Sequence, residues 1–332
     1  MDKGKVRESI LDRSVFKIIE KRREEILYGA GIAQDASVIS MTNNEVTVIS
    51  TNPVTYNFAG MAALGVAQAV NGVAAQGGQP VGMMMTILMP ERLREIKLKN
   101  IMRETEAACA KENVQICGGH TEVTDNVINP VISFTCVGKA PVDKVLSAGN
   151  IKPDMDIIMT KWIAMAGTVM MLNKYGEQLE SRFQRSFLDR MKNFPEYFSC
   201  VKEAAVAVNS GVVAMHDAGL GGIKGALWEI ASAANVGIEV SFDRIRVKQE
   251  TIEICEYLGL NPYDMCSTGV MIMAAEDGAE LAEKLCSQGI EAEVIGRTTE
   301  SNDRVLVKNE ESRFLTPPRG DEIYKDVKGM TL

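Results

Sequence analysis

A pair of glycines followed by a polar cluster occurs at Gly118-Gly119-His120-Thr121-Glu122, directly after an apolar segment predicted to be a strand. Glycines allow a ligand to approach the backbone closely, and backbone N–H groups bind anions well. The imidazole, hydroxyl and carboxylate that follow are suited to a phosphate or a metal-bound phosphate. The segment therefore predicts a phosphate site, with an ordinary tight turn as the alternative.

Three earlier segments combine small and polar residues in a similar way. Gly29 to Ala36 is rich in glycine and alanine and contains Asp35, Val46 to Asn52 is an apolar strand that ends on an amide, and Ala67 to Gly72 carries Asn71 on a helix-like segment. Asp35 could instead be a turn or cap residue. We predict that the four polar segments converge on one anion-binding cleft.

The second half of the chain contains one further glycine-rich segment. His216-Asp217 is followed by Gly219, by Gly221-Gly222 and by a helical pattern around Ala226 to Ala231. Asp217 could cap that helix, since a carboxylate at a helix N-terminus is favourable. The glycines equally suggest close approach of a ligand to the backbone, so both interpretations stay open.

In this order and spacing, the segments resemble the PurM-like superfamily, which includes aminoimidazole ribonucleotide (AIR) synthase, selenophosphate synthetase, thiamine-monophosphate kinase and, as the closest, the hydrogenase maturation protein HypE. The resemblance extends from Tyr28 to Thr298. It implies an α/β (α+β) fold of two domains, at 1–145 and 153–332. The N-terminal, ATP-binding sheet domain would form a β-barrel across a homodimer, and the C-terminal domain would be an α/β sandwich.

The resemblance also implies an ATP-dependent enzyme of the ligase or dehydratase type, which phosphorylates a carbonyl or amide oxygen and uses a second substrate or a partner protein. Magnesium would be held by Asp35 and Glu122. The residues expected to contact the nucleotide or its phosphates are Asn52, Asn71, Gly118, Gly119, His120, Thr121, Asp217, Gly221 and Gly222.

Several positions depart from the pattern of the active family members, which carry carboxylates there. This chain has Gln34, Asn52, Gly72 and His120 instead. The attraction between a carboxylate and a unit positive charge about 4 Å away is worth roughly 1 to 4 kcal/mol. The loss of these carboxylates therefore predicts a weakened magnesium site. The alternative function is a degenerate, non-catalytic paralogue that binds a ligand or assists assembly.

HypE itself uses a C-terminal cysteine, whereas no cysteine follows Cys286 here, so its carrier chemistry is not expected.

Composition excludes several classes of protein. The 332 residues carry a net charge of -8, which argues against a nucleic-acid surface. Seven scattered cysteines without a Cys-x-x-Cys pair, and only two histidines, argue against a zinc or iron–sulfur site and favour reduced, buried thiols. The sequence shows no signal peptide and no membrane-spanning run, so we expect a cytoplasmic protein.

The pattern of apolar residues predicts alternating strands and helices on either side of a linker at 141–153. The methionines Met83 to Met85 and Met170-Met171 are expected in the core or a dimer interface. Predicted strands are Val46–Ser50, Val81–Leu88, Val114–Cys117, Val131–Val137, Asp156–Thr160, Ile238–Ser241, Val270–Ala274 and Glu291–Ile295, and predicted helices are Gly60–Ala75, Glu91–Lys111, Ser186–Lys192, Val201–Asn209, Gly225–Ala234 and Gly278–Ser287.

Overall fold

The computed structural model describes residues 26–28, 36–40, 44–309, 311–325 and 327. Within these residues the chain forms two β-sheets, one after the other along the sequence, and nine α-helices. The predicted mixed α/β class is confirmed. In this part of the chain no helix is long and apolar enough to cross a membrane.

The first sheet has six strands in the order β1-β2-β3-β6-β4-β5. Neighbouring strands are antiparallel except β4 and β5, which are parallel because helix α2 connects them. The elements of this half are β1 (Ile26–Tyr28), β2 (Ala36–Ser40), β3 (Glu45–Val54), α1 (Met61–Ala75), β4 (Gln79–Pro90), α2 (Glu95–Lys111), β5 (Gln115–Thr124) and β6 (Val131–Pro141).

The second sheet has seven strands in the order β13-β12-β9-β11-β7-β10-β8. Its elements are β7 (Asp156–Thr160), α3 (Met165–Lys174), α4 (Gly176–Arg182), α5 (Arg185–Arg190), α6 (Val201–Ala207), β8 (Val212–Ala218), α7 (Gly222–Ala234), β9 (Gly237–Ser241), α8 (Gln249–Leu258), β10 (Val270–Ala275), α9 (Gly278–Ser287), β11 (Ala292–Thr299), β12 (Arg304–Lys308) and β13 (Glu311–Phe314).

Burial alternates along the strands of the first sheet. Val46, Val48, Ser50 and Val54 of β3 are buried, whereas the residues between them are more exposed. In β4, Met83 and Met85 are buried, but Met84 is 45% exposed on the opposite face. Period-two burial shows that, among the described residues, helices cover one face of this sheet. The prediction that these methionines fill a core is confirmed for Met83 and Met85, as it is for the buried Met170 and Met171.

Helix α1 is buried on nearly all sides, which is unusual for a helix beside a sheet. One of its sides packs on β3 and β6 of the first sheet, and another contacts β8 and α6 of the second half. A helix enclosed in this way has to satisfy its own polar side chains inside the protein. Its Gln68 and Asn71 therefore determine how the two halves meet.

Five of the seven cysteines are buried, as predicted, while Cys117 and Cys286 are exposed. Burial raises the pKa of the Cys136 thiol to about 12, and that of Cys255 by a similar amount, also to about 12. Thiols of this kind stay protonated at neutral pH and are poor nucleophiles.

Candidate functional site

The glycine pair and the polar cluster lie inside a strand. The predicted strand end at Cys117 is wrong, because β5 continues through Gly118 and Gly119 to Thr124. Within the described residues β5 pairs only with β4, so it forms the edge of the first sheet. His120, Thr121 and Glu122 are all exposed there. The edge therefore offers backbone donors and polar side chains to solvent together.

Gly119 is a glycine for a structural reason. Its φ is +150°, and a Cβ at this position would lie 2.0 Å from the carbonyl oxygen of Met85 on β4. No side chain can be accommodated at that distance without moving one of the two strands. Close approach of a ligand would by itself explain a glycine at position 119. The pairing of β5 with β4 requires glycine there as well.

Asn52 lies within β3, not at its end, and is half-buried. It stands opposite Phe134 of β6, which pairs with Met85 of β4, which in turn pairs with Gly119. The row places Asn52 and Gly119 at one level of the sheet, three strand spacings or roughly 14 Å apart. The side-chain amide of Asn52 donates a hydrogen bond to the Ser50 hydroxyl at 3.3 Å.

Asn71 lies on α1, fully buried at the junction of the two halves. Its Nδ2 donates to the carbonyl oxygen of Phe198 at 2.8 Å, and its Oδ1 accepts from the backbone N–H of Cys200 at 2.7 Å. One turn earlier, Gln68 donates to the Thr268 hydroxyl at 3.2 Å. Both ends of the Asn71 amide thus hold the second half against α1. Asn71 lies on a helix, as the sequence predicts.

Asp217 is an interior residue of β8, where it pairs with Met271 of β10. The alternative that Asp217 caps the following helix is wrong, since α7 begins four residues after β8 ends, at Gly222. The neighbouring His216 is buried, and its Nε2 lies 2.9 Å from the Glu229 carboxylate on α7. This contact fixes the helix against the sheet.

Gly221 and Gly222 form the turn into α7, both with positive φ. A Cβ on Gly222 would lie 2.6 Å from the carbonyl oxygen of Tyr263, so the helix start packs tightly against that loop. The backbone N–H of Gly221 points at a carboxylate of the chain itself, Asp321, at 2.7 Å.

Asp321 is the main residue that the sequence does not reveal. It is 5% exposed and also accepts hydrogen bonds from the backbone N–H groups of Cys266 and Ile323. Burial raises the pKa of its carboxyl to about 6, against the effect of these three donors, which lower it. It follows the turn residues Pro317 to Gly320, and no local pattern distinguishes it from a surface aspartate.

The described residues do not by themselves form a magnesium site. Asp35 lies outside them, and Glu122 faces His120, with 3.4 Å between Oε2 and Nε2. Within the described ranges no three His, Cys, Asp or Glu side chains are grouped so as to hold a metal. Magnesium needs anionic oxygen ligands in a near-octahedral arrangement, and a single exposed carboxylate does not supply one.

The predicted site residues that lie among the described residues fall into two separate groups. Asn52 and the Gly118 to Glu122 segment share the first sheet, while Asp217, Gly221 and Gly222 lie around the start of α7 in the second half. Asn71 connects the two halves, and it does so through backbone groups of the second half. Asp35 lies outside the described residues.

The two halves, each a sheet covered by helices, define a PurM-like protein, and the comparisons agree. Residues 33–140 match the N-terminal domain of AIR synthase related proteins, and residues 152–308 match the C-terminal domain. The chain belongs to the AIR synthase-related family, which confirms the resemblance found in the sequence.

Similar proteins include hydrogenase expression and maturation proteins. A putative hydrogenase expression/formation protein of Methanocaldococcus jannaschii is 26% identical over 329 residues, which cover 96% of each chain. The crystal structure of a HypE–HypF complex superposes with a TM-score of 0.75 at 20% identity, over 93% of this chain and 99% of that chain. HypE in complex with ATP superposes with a TM-score of 0.71 at 18% identity, over 96% of both chains.

Proposed function

We propose that this protein binds ATP and transfers its terminal phosphoryl group to a carbonyl or amide oxygen. A nucleophile then displaces that oxygen together with its phosphoryl group. The observation that carries the proposal is the likeness in fold, over 96% of both chains, to a HypE crystallised with ATP. Phosphoryl transfer depends largely on positioning and on charge stabilisation, and these are the properties that a shared fold can conserve.

The β5 segment is the part of the first half best suited to a phosphate. It combines an edge strand, two glycines and the exposed side chains of His120 and Thr121. An imidazole N–H and a hydroxyl both donate to phosphate oxygens. In the second half we assign contacts to the nucleotide to Asp217 and to the Gly221-Gly222 turn. There, Asp217 would accept from a ribose or amine group, since a carboxylate repels phosphate.

The proposal routes no step through magnesium, because the described donors do not form a site for it. The assignment of Asp35 and Glu122 as metal ligands remains a prediction. It is tested by titrating ATP in the presence and in the absence of magnesium chloride.

We further propose that the protein is a homodimer that pairs the open faces of two first sheets. Helices cover one face of this sheet, and Val81 and Met84 are 48% and 45% exposed on strand β4. Exposed apolar side chains on an uncovered sheet face favour association. Sedimentation velocity of Met84→Lys should then show a shift toward monomer, whereas Ile96→Lys on α2, which replaces another exposed apolar residue, should leave the dimer intact.

A second candidate function is a non-catalytic module that retains the fold and binds a nucleotide weakly, or another ligand. Two observations favour it: both ends of the Asn71 amide are engaged within the chain, and the N–H of Gly221 already has a carboxylate partner. Such a module could bind a partner protein, as the HypE of the HypE–HypF complex does.

Three expectations from the sequence stay predictions: the domain limits at 1–145 and 153–332, a second substrate and a cytoplasmic location.

Calorimetric titration of the full-length protein with ATP, followed by measurement of ADP release, separates the two candidates. The enzyme requires saturable heat and turnover, and Thr121→Val should weaken ATP binding by about tenfold through loss of a phosphate contact. Ser287→Ala, which removes an exposed hydroxyl at the end of α9, is the matched control. ADP release would exclude the module, and no heat at millimolar ATP would exclude the enzyme.

A further inference from the structure

A cavity of about 440 Å³ lies in the second half, between the start of α7, the turn after β9 and the β12–β13 hairpin. Its volume is within the range of sites that hold small molecules. The residues that carry the argument are Lys224, Phe242, Asn261, Tyr263, Lys308 and Arg313. None of the residues predicted to contact nucleotide is among the described residues that line it.

One wall of the cavity is aromatic. The rings of Phe242 and Tyr263 are stacked, with 4.3 Å between centroids and 29° between planes. Tyr263 is held in place by its backbone N–H, which donates to the Asn261 side chain at 3.2 Å. The edges of this fixed pair of rings form an apolar wall against which another planar ring can pack edge to face.

The other walls are positively charged. Three cations, Lys224, Lys308 and Arg313, line the cavity together with one carboxylate, Glu311. Arg313 and Glu311 form a 3.6 Å ion pair that is mostly exposed and therefore contributes little. Since Arg313 faces Glu311 and Lys224 faces Asp264, the excess positive charge of the lining comes from Lys308.

The two lysines are placed where they can act together with the rings. The Lys308 ammonium lies 5.2 Å from the centroid of Phe242, over the ring. Lys224 is oriented by Asp264, whose Oδ2 lies 2.6 Å from its Nζ. An anionic group on a ring packed against this aromatic pair would meet Lys308, with Lys224 at the α7 side.

We infer that this cavity binds a planar aromatic anion, with its ring against Phe242 and Tyr263 and its phosphate or carboxylate at Lys308. The site is additional to the proposed nucleotide site and does not depend on it. It lies beside the turn into α7, since the carbonyl of Tyr263 faces Gly222.

The inference is tested with 1-naphthyl phosphate, titrated into the full-length protein by calorimetry. We expect saturable binding that Lys308→Gln and Phe242→Leu each weaken at least tenfold. Lys284→Gln removes an exposed lysine on α9 and should leave the affinity unchanged. Inorganic phosphate lacks the ring and 1-naphthol lacks the charge, so each should bind at least tenfold more weakly than the probe.

Three results would overturn the inference. The first is the absence of saturable binding to the unmodified protein. The second is an affinity in Lys308→Gln equal to that in Lys284→Gln; Lys308 is exposed, so this variant should fold even if Phe242→Leu does not. The third is a tenfold loss in Thr121→Val, because the probe would then occupy the predicted nucleotide segment of β5.

Discussion

The carboxylate of Asp321 accepts a hydrogen bond at 2.7 Å from the backbone N–H of Gly221, a residue 100 positions earlier in the chain. The C-terminal part of the protein thereby supplies an anion to the start of α7, where the helix dipole favours negative charge. A ligand phosphate at Gly221 would have to replace this carboxylate or bind beside it. The contact therefore links the stability of the second half to the occupancy of its glycine turn.

Replacing Asp321 by alanine should destabilise the protein. The backbone N–H groups of Gly221, Cys266 and Ile323 would lose their buried acceptor. We expect a loss of about 2 to 4 kcal/mol in the free energy of unfolding, measured in urea at pH 5. At this pH the carboxyl is largely protonated, so the cost of burying its charge does not offset the loss. Asp303→Ala, at an exposed site, is the control; an equal effect of both would contradict the prediction.

The stability contributed by Asp321 should depend on pH. Its folded pKa of about 6 is above the ordinary aspartate value of 3.8, so the folded state holds the proton more tightly than the unfolded state does. The contribution is fully present below about pH 4 and is lost as the pH rises through about 6. Relative to the non-titrating Asp321→Asn, the unmodified protein should lose up to about 3 kcal/mol between pH 4 and pH 7.5. A difference that stays constant, or grows with pH, is incompatible with this assignment.

Asn71→Leu should weaken the junction of the two halves. Leucine fills a similar volume, but the N–H of Cys200 and the carbonyl of Phe198 lose their partners in a buried place. We expect a loss of about 2 to 4 kcal/mol in the free energy of unfolding. Asn209→Leu, which replaces an exposed amide at the end of α6, should cost under about 1 kcal/mol. Near-equal losses would mean that Asn71 does not join the halves.

Gly119→Ala should destabilise the edge of the first sheet, whatever happens to ligand binding. Its Cβ would collide with the Met85 carbonyl, so we expect a loss of at least about 2 kcal/mol in unfolding free energy. Gly211→Ala is the matched control, because Gly211 also has a positive φ, +80°, but no atom lies within 4 Å of its Cβ position. That variant should cost about 1 kcal/mol. If the two variants melt alike, the close approach of β5 to β4 is not what requires glycine.

Asp35→Ala tests the predicted metal site. Magnesium-dependent ATP binding should disappear, while the melting temperature should change by no more than a degree or two, since a carboxylate that acts on a ligand adds little to folding. Calorimetry with and without magnesium, together with a melting curve, measures both effects. Unchanged magnesium dependence would remove Asp35 from the metal site, and a large drop in melting temperature would indicate a structural role.

Much of the fold follows from local patterns in the sequence. The strand Asp156–Thr160 and the helix Gly278–Ser287 occur with the predicted bounds. Both are bounded by strong local signals, and Asp277 caps the helix by accepting from the N–H of Glu280. Strand β8 and helix α3 were not predicted, because most of their residues are buried and the apolar positions therefore show no distinct period.

The candidate site was less predictable than the fold. Glycines at 118 and 119 indicate a turn when only the local sequence is considered, yet β5 runs through them because β4 supplies the partner backbone. Asn71 and Asp321 have buried hydrogen-bond partners that are more than 50 residues away along the chain, and the partner of Asn71 lies in the other half. No spacing in the sequence encodes such a contact.

The sequence by itself determined the family, the alternation of strands and helices and the residue types present at the glycine-rich segments, because these depend on local order along the chain. Only the tertiary structure decided what each polar group faces. It directed Asn71 to the junction of the halves, placed Asp321 at the start of α7 and assembled the cationic, aromatic cavity beside Tyr263. The physical reason is that a hydrogen bond or an ion pair depends on distance in space, and packing brings together groups that the chain keeps far apart.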